Sequence, residues 1–195
     1  VGFFNDYKNL TGQCTMSGGC GADAVDRQFN GGEVWIYGAE LVFGDRLLLP
    51  QQIRLGMDLS YAFTRSRFQS AFSSSFPQFG DVDVGYSLPY VAEHQGSLVM
   101  SLEHPRIQLS GGLSGHSGML DSAGLWPLSE VDIPPLLLLD AAARTPLGER
   151  LELYVTGTNI GDSRAITSWR PVGARPVAPR QIMLGIQTRV PTSRP

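Results

Sequence analysis

Ile53-Arg54-Leu55-Gly56-Met57-Asp58-Leu59-Ser60-Tyr61-Ala62-Phe63-Thr64 alternates by two without a break. Ile53, Leu55, Met57, Leu59, Tyr61 and Phe63 fall on one side. Arg54, Gly56, Asp58, Ser60, Ala62 and Thr64 fall on the other. Successive side chains of a strand point to opposite faces, so this stretch predicts a strand with one greasy face and one polar or small face. It runs well past the usual length of about five or six residues.

The pattern recurs on both sides of it. Trp35, Tyr37, Ala39, Leu41 and Phe43 alternate with Glu40 and smaller groups. Leu98, Met100 and Leu102 alternate with Ser97, Ser101 and Glu103; Ile107, Leu109, Gly111 and Leu113 alternate with Gln108, Ser110, Gly112 and Ser114. Leu137, Leu139, Ala141 and Ala143 lie opposite Asp140 and Arg144, with Leu138 an exception. Leu151, Leu153 and Val155 alternate with Glu152, Tyr154 and Thr156, and Ile182, Leu184, Ile186 and Val190 with Gln181, Gln187 and Arg189. A shorter, more ambiguous strand opens the chain. The reading is all-β, with eight strands over residues 1–9, 29–44, 52–66, 95–104, 106–117, 135–145, 150–161 and 180–190.

The connections alternate in length. Long segments cover residues 10–28, 67–93, 118–134 and 161–179; short ones cover 44–51, 104–106 and 145–150. Long strands with long loops at one end and tight turns at the other make the pattern of an antiparallel transmembrane β-barrel, an up-and-down meander. Lipid offers a backbone no hydrogen bonds, so spanning strands must pair laterally. The greasy face then meets lipid and the polar face a wet or plugged lumen, where Arg54, Asp58, Glu103, Asp140, Arg144, Gln187 and Arg189 are expected. Trp35, Tyr37, Tyr61, Phe63 and Tyr154 near strand ends suit aromatic girdles. A soluble sheet with one face on a core is the competing reading; strand length and loop asymmetry both count against it.

Composition agrees. Charged residues make up 17% of the 195 residues, against roughly 25% in soluble domains. The 23 glycines and 13 prolines argue against a helical bundle. A net charge of -3 excludes a strongly basic nucleic-acid binder. The apolar run Leu136 to Leu139 is too short for a membrane helix. The first residues, interrupted by Asn5, Asp6 and Lys8, do not read as a signal peptide.

Several stretches carry a family resemblance in chain order. They are Phe3-Phe4-Asn5-Asp6-Tyr7-Lys8-Asn9-Leu10, Gln28-Phe29-Asn30-Gly31-Gly32-Glu33-Val34 with Tyr37-Gly38-Ala39-Glu40-Leu41, and Leu88-Pro89-Tyr90-Val91-Ala92-Glu93-His94-Gln95. Gly157-Thr158-Asn159-Ile160-Gly161-Asp162, then Arg170-Pro171-Val172-Gly173-Ala174-Arg175-Pro176 with Pro179-Arg180, complete the set. Together they resemble the last barrel strands of TonB-dependent outer-membrane receptors of the ferric-dicitrate or siderophore type. The chain departs from that pattern at Ala92, where proline is usual, at Gly161, where an aromatic is usual, at Val177-Ala178, and in a tail at 191–195 in place of a terminal aromatic. The resemblance implies residues 1–190 as the C-terminal segment of a 22-strand barrel. At this chain's spacing, 22 strands need roughly 540 residues. It also implies an N-terminal plug, coupling to TonB through that plug, a bacterial outer-membrane setting with lipid and lipopolysaccharide around the wall, and an anionic ferric chelate as the transported ligand, with no permanent cofactor. A self-contained eight-strand barrel with a structural or adhesive role is the alternative.

In the oxidising setting so implied, Cys14 and Cys20 are expected to close a loop by a disulfide. A metal or redox role is the sharper reading and lacks a neighbouring His or a Cys-x-x-Cys spacing. The basic residues are 14 Arg and one Lys. Arg164, Arg170, Arg175 and Arg180 share the last long loop with Asp162, and Arg65 and Arg67 end the third strand. Guanidinium forks grip carboxylates and phosphates. Arg65, Arg67, Arg164, Arg170 and Arg175 are therefore candidate ligand contacts, with lipopolysaccharide phosphates or neighbouring loops as alternative partners. His94, His104 and His116 fall on different strands and do not predict a metal site. His116-Ser117 beside Asp121 invites a hydrolase reading, but adjacent strand residues point apart, so no catalytic residue and no enzyme activity is expected.

Overall fold

The computed structural model describes residues 1–125, 132–171 and 173–188. Eight long strands are β1 (Gly2–Tyr7), β2 (Val34–Leu49), β3 (Ile53–Phe68), β4 (His94–His104), β5 (Ile107–His116), β6 (Leu136–Pro146), β7 (Leu151–Thr158) and β8 (Gln181–Thr188). Each pairs antiparallel with its sequence neighbours, so the sheet is an uncrossed meander with β1 and β8 at its edges. Tight turns at one end join β2–β3, β4–β5 and β6–β7. The other end carries the four long loops, residues 8–33, 69–93, 117–135 and 159–180.

The register carries the alternation from strand to strand. Phe43, Leu59, Leu98, Leu113 and Leu139 lie in one cross-strand row. Leu47, Leu55, Leu102, Leu109 and Ala143 form another. On β7 and β8 the same face continues as Val155 opposite Leu184 and Leu153 opposite Ile186. Ile182 and Leu184 are 72% and 74% exposed. This outward face is a continuous apolar belt, and none of the described residues packs over it.

The hydrophobic core lies under the long loops. Val34, Phe68 and Val82 are buried with Leu10, Phe72 and Phe79 around them; Cys14, Cys20 and Phe76 form a second cluster with Phe29 and again Phe79. The accessible surface is 12723 Å². A compact monomer of this mass needs roughly 9,000 Å². The excess is the two open faces of the sheet, which require covering by lipid, by other protein, or by both.

Three boundaries differ from the sequence reading by three residues or more. β2 starts at Val34 rather than 29, because Gly32 turns the chain at φ +66° and Phe29 packs into the loop core. β2 also runs on to Leu49, past the expected end at 44, and its turn is made by Pro50 with Gln51 and Gln52 at φ 64° and 61°. β7 stops at Thr158 rather than 161, since Asn159 turns left-handed at φ 48°. Tyr154 is not part of an outward girdle. It sits opposite Gly185 on the inner row, where its ring fills the space a Cβ would need. The expected Arg189, Val190 and the 191–195 tail lie outside the described residues.

Gly38 and Gly115 have no room for a side chain. A Cβ at Gly38 would meet the Phe63 carbonyl oxygen at 1.9 Å, and one at Gly115 the Leu136 oxygen at 2.4 Å. These close approaches let adjacent strands coil tightly, as a sheet bending into a wall requires.

Candidate functional site

The inner face is built in rows by the register. Glu40, Ala62, Gln95 and His116 form one row, followed toward the tight turns by Val42, Ser60, Ser97 and Ser114. Ser60 and Ser97 share a 2.8 Å hydroxyl hydrogen bond. A hollow of about 480 Å³ lies across these rows between Glu40 and Leu138. Toward the tight-turn end the rows become ionic. Arg46 pairs with Asp58 at 2.6 Å, Arg54 meets Glu103 at 4.0 Å, and Arg144 meets Glu152 at 3.9 Å. Arg54, Asp58, Glu103, Asp140, Arg144 and Gln187 all fall on inner rows, as the alternation predicts. The exposed pairs add little stability, so their worth lies in presenting charge to whatever fills the concavity.

Above the wall the loops interlock. A disulfide joins Cys14 to Cys20 in the first long loop. Phe29, Phe72, Phe76 and Phe79 cluster beside it, with ring centroids 4.6 Å apart for the tilted pair Phe29 and Phe79. Arg170, from the fourth loop, donates to the Pro77 carbonyl at 2.9 Å and to Asp121 at 2.8 Å. Asp121 also accepts from the Tyr90 hydroxyl. Trp169 donates its indole N–H to the Asp132 carbonyl at 2.7 Å. At the base of the fourth loop the Asn159 side chain accepts from the Ser163 N–H and donates to the Ser163 and Ala178 carbonyls, all within 2.9 Å. Its own N–H donates to Asp140 at 2.8 Å. Asn159→Ala removes three bonds from a 4% exposed side chain and costs about 2–3 kcal/mol locally. Amide exchange at Ser163 is expected to quicken by about tenfold or more while β2–β4 exchange stays put; an unchanged Ser163 amide overturns this anchor.

The five candidate arginines do not converge. Arg65 lies on the outward row opposite Tyr37 and is held against Glu93 at 2.6 Å, a contact of charges rather than an aligned hydrogen bond. Arg67 also lies on the outward row, opposite Trp35. Arg170 is the half-buried strut just described. Arg164 is exposed and pairs with nearby Asp162 at 2.9 Å. Arg175 belongs to a two-residue ladder with Ile166–Ser168 and is exposed. Tyr90, Asp121, Trp169 and Asn159 organise the cap without having been expected to. Parity was the available signal for Arg65 and Arg67, since odd residues of β3 face outward.

Lys8, just beyond β1, sits between Asp6 at 2.7 Å and Glu33 at 2.8 Å. Hydrogen bonds to Asp6 first and Glu33 second raise its pKa to about 12. The histidines stay apart. His94 shares a 2.7 Å hydrogen bond with the Tyr61 hydroxyl, and His104 Nδ1 accepts from the Arg106 N–H. His116 Nδ1 meets the Ser117 carbonyl at 2.8 Å, not its hydroxyl, so no nucleophile–base pair forms there. Among the described residues no cluster of His, Cys, Asp or Glu has metal-holding geometry.

An antiparallel meander with an apolar outer belt, an ionic inner wall and long loops at one end defines a transmembrane-barrel class. The chain belongs to the TonB dependent receptor-like β-barrel family, whose model matches residues 1–160. Its fold is similar to that of the siderophore receptor PiuA from Acinetobacter baumannii, at 17% identity and a TM-score of 0.69, with 96% of this chain matching 25% of that one. It is similar also to the outer membrane transporter YddB from Escherichia coli, at 12% identity and a TM-score of 0.59, with 95% of this chain matching 29% of that one. The chain therefore spans less than a third of either structure, and at these identities the likeness is one of fold. Comparison with curated proteins gives no match.

Proposed function

We propose that this chain is the C-terminal part of the barrel of a TonB-dependent receptor in a bacterial outer membrane, which takes up a ferric chelate such as ferric citrate or a siderophore complex. The observation that carries the reading is the sheet's division into an uncovered apolar belt and an inner wall of paired charges, in a chain of this family. Lipid and lipopolysaccharide cover the belt. The receptor's own plug fills the concavity against Arg46–Asp58, Arg54–Glu103 and Arg144–Glu152, and TonB acts through that plug. The edge strands β1 and β8 pair with strands of the same barrel. Arg164 and Arg175 are the candidate arginines exposed at the loops, where an anionic chelate would meet them, Arg164 in competition with its partner Asp162.

The test is an immunoblot of purified outer membranes with an antibody to residues 162–179, with and without boiling. A heat-modifiable band several times heavier than 21.1 kDa is expected, induced by iron starvation and accompanied by uptake of labelled ferric citrate or siderophore. A heat-modifiable band at the chain's own mass means a self-contained barrel and removes transport. Material found wholly in the soluble fraction removes the membrane reading.

A further inference from the structure

The inner wall divides by charge along its height. Its rows at the tight-turn end carry Arg46, Arg54 and Arg144. From Asp58 up to the long loops, the inner positions of the described strands hold no lysine or arginine. Of the acids there, Asp58 is taken by Arg46, and Asp140 accepts the Asn159 N–H. Glu40 remains. It is exposed, and among the described residues its carboxylate has no hydrogen bond or ion pair. Glu40 shares its row with Gln95 and His116, and β4 begins and β5 ends at that level, so the row borders the mouth under the long loops. With Ser60, Ser97 and Ser114 on the next row, these side chains line the hollow of about 480 Å³. His116 Nδ1 donates to the Ser117 carbonyl at 2.8 Å, so Nε2 of the neutral ring is an acceptor. The hollow offers a carboxylate, an amide, an imidazole nitrogen and hydroxyls, and no cation.

We infer that this hollow sorts the cargo by charge. Glu40 takes a primary ammonium on one arm of the chelate, Gln95 and the serine hydroxyls bind its amide or hydroxyl groups, and an all-anionic chelate such as ferric citrate is turned away. The inference rests on the receptor reading above and narrows its substrate class. A carboxylate without a partner is complementary to an ammonium, a compact charge with three donors. It repels a polyanion by the same Coulomb energy, which grows where water is partly excluded. The hollow falls within the roughly 300–1,000 Å³ usual for ligand sites. It also lies apart from Arg46–Asp58, Arg54–Glu103 and Arg144–Glu152, the pairs given to the plug, so a seated plug leaves it open to the mouth. Anionic groups of the same cargo go to the exposed Arg164 and Arg175 at the loops, so wall and loops read opposite charges.

The test uses the full receptor in detergent, plug included, titrated calorimetrically with ferrioxamine B, a ferric trihydroxamate ending in a primary ammonium, with its N-acetylated derivative, which caps that charge, and with ferric citrate. Wild type is expected to bind the ammonium form about tenfold more tightly than the acetylated form. Glu40→Gln is expected to erase that preference and to raise the affinity for ferric citrate several-fold. A merely structural effect of the substitution would move every probe the same way. Gln95→Glu adds a second carboxylate to the row and is expected to widen the preference for the ammonium form several-fold, a gain that a misfolded variant cannot give. Equal binding of the two trihydroxamates by wild type, or a preference that survives E40Q, overturns the site and leaves the hollow to the plug. Binding of no probe by a receptor that is still heat-modifiable overturns the chelate reading and the subsite with it, so the two failures give different results.

Discussion

Leu98→Arg is expected to destroy the barrel, whereas Val99→Arg, one residue on, leaves it standing. Leu98 lies at the middle of the outward face of β4, in the row Phe43, Leu59, Leu98, Leu113 and Leu139. Arginine on the lipid face at mid-membrane costs about 2–4 kcal/mol, a large share of a marginal stability. Val99 points the other way. Its cross-strand partner is Asp58, and its row continues through Gly112 to Asp140. A guanidinium there has a carboxylate on each side and small neighbours, so the change is expected within about 0.5 kcal/mol of neutral. Urea unfolding of the full receptor refolded into lipid vesicles reads both, and outer-membrane yield gives the same ranking in cells. Equal damage from the two would mean that the faces are misassigned. Recovery of both variants, folded, from the soluble fraction would mean that the belt packs on protein rather than lipid.

The strand meander was legible because period two survives wherever one face is lipid and the other is not. The misplaced boundaries have local causes. Gly44-Asp45 looks like a turn. It is strand because Gly44 gives room beside Asp58, whose carboxylate oxygen would lie 3.0 Å from a Cβ at 44, and because Arg46 must reach that same Asp58. The real turn uses Gln51 and Gln52 in left-handed conformations that their side chains do not advertise. Phe29 reads as the start of β2 and lies instead in a short separate strand, Gln28–Asn30, paired with Thr11–Gln13 in the first loop, its ring among Phe72, Phe76 and Phe79. Those phenylalanines, spaced through an otherwise polar loop, were the signal that the loops carry a core of their own.

The site was less legible. Grouping arginines by sequence ignores which way each one faces. Arg65 and Arg67 share parity with Leu55 and Leu59, which already puts them on the lipid side. No such rule exists for Arg170, because loops have no period. Its partners come from residues 49 and 93 positions away, Asp121 and Pro77, which tertiary packing alone brings together.

Arg170→Ala then decides between a strut and a ligand contact. The guanidinium ties the fourth loop to the second at Pro77 and to the third at Asp121, and lies against Gly19 of the disulfide loop, where a Cβ would be 3.0 Å from Nη1. The side chains of Arg170 and Asp121 are 16% and 18% exposed, so the pair is largely shielded. Removing one partner of such a pair leaves an uncompensated charge and costs about 3 kcal/mol. Asp121 would keep the Tyr90 hydroxyl and lose its cation. Amide exchange is therefore expected to quicken about a hundredfold around residues 76–80 and 119–124, with smaller gains near Gly19, while β3–β5 amides do not change. The double variant Arg170→Ala with Asp121→Asn should recover part of the loss, since it removes the orphaned charge along with its partner. Chelate affinity is expected to fall in proportion to the loosening and to return partly in the double variant. A different pattern overturns the strut: exchange unchanged in all the loops while affinity collapses and the double variant gives no recovery. That result would make Arg170 a direct contact of the ligand, and the interlocked loops would be held by the phenylalanine core and the disulfide without it.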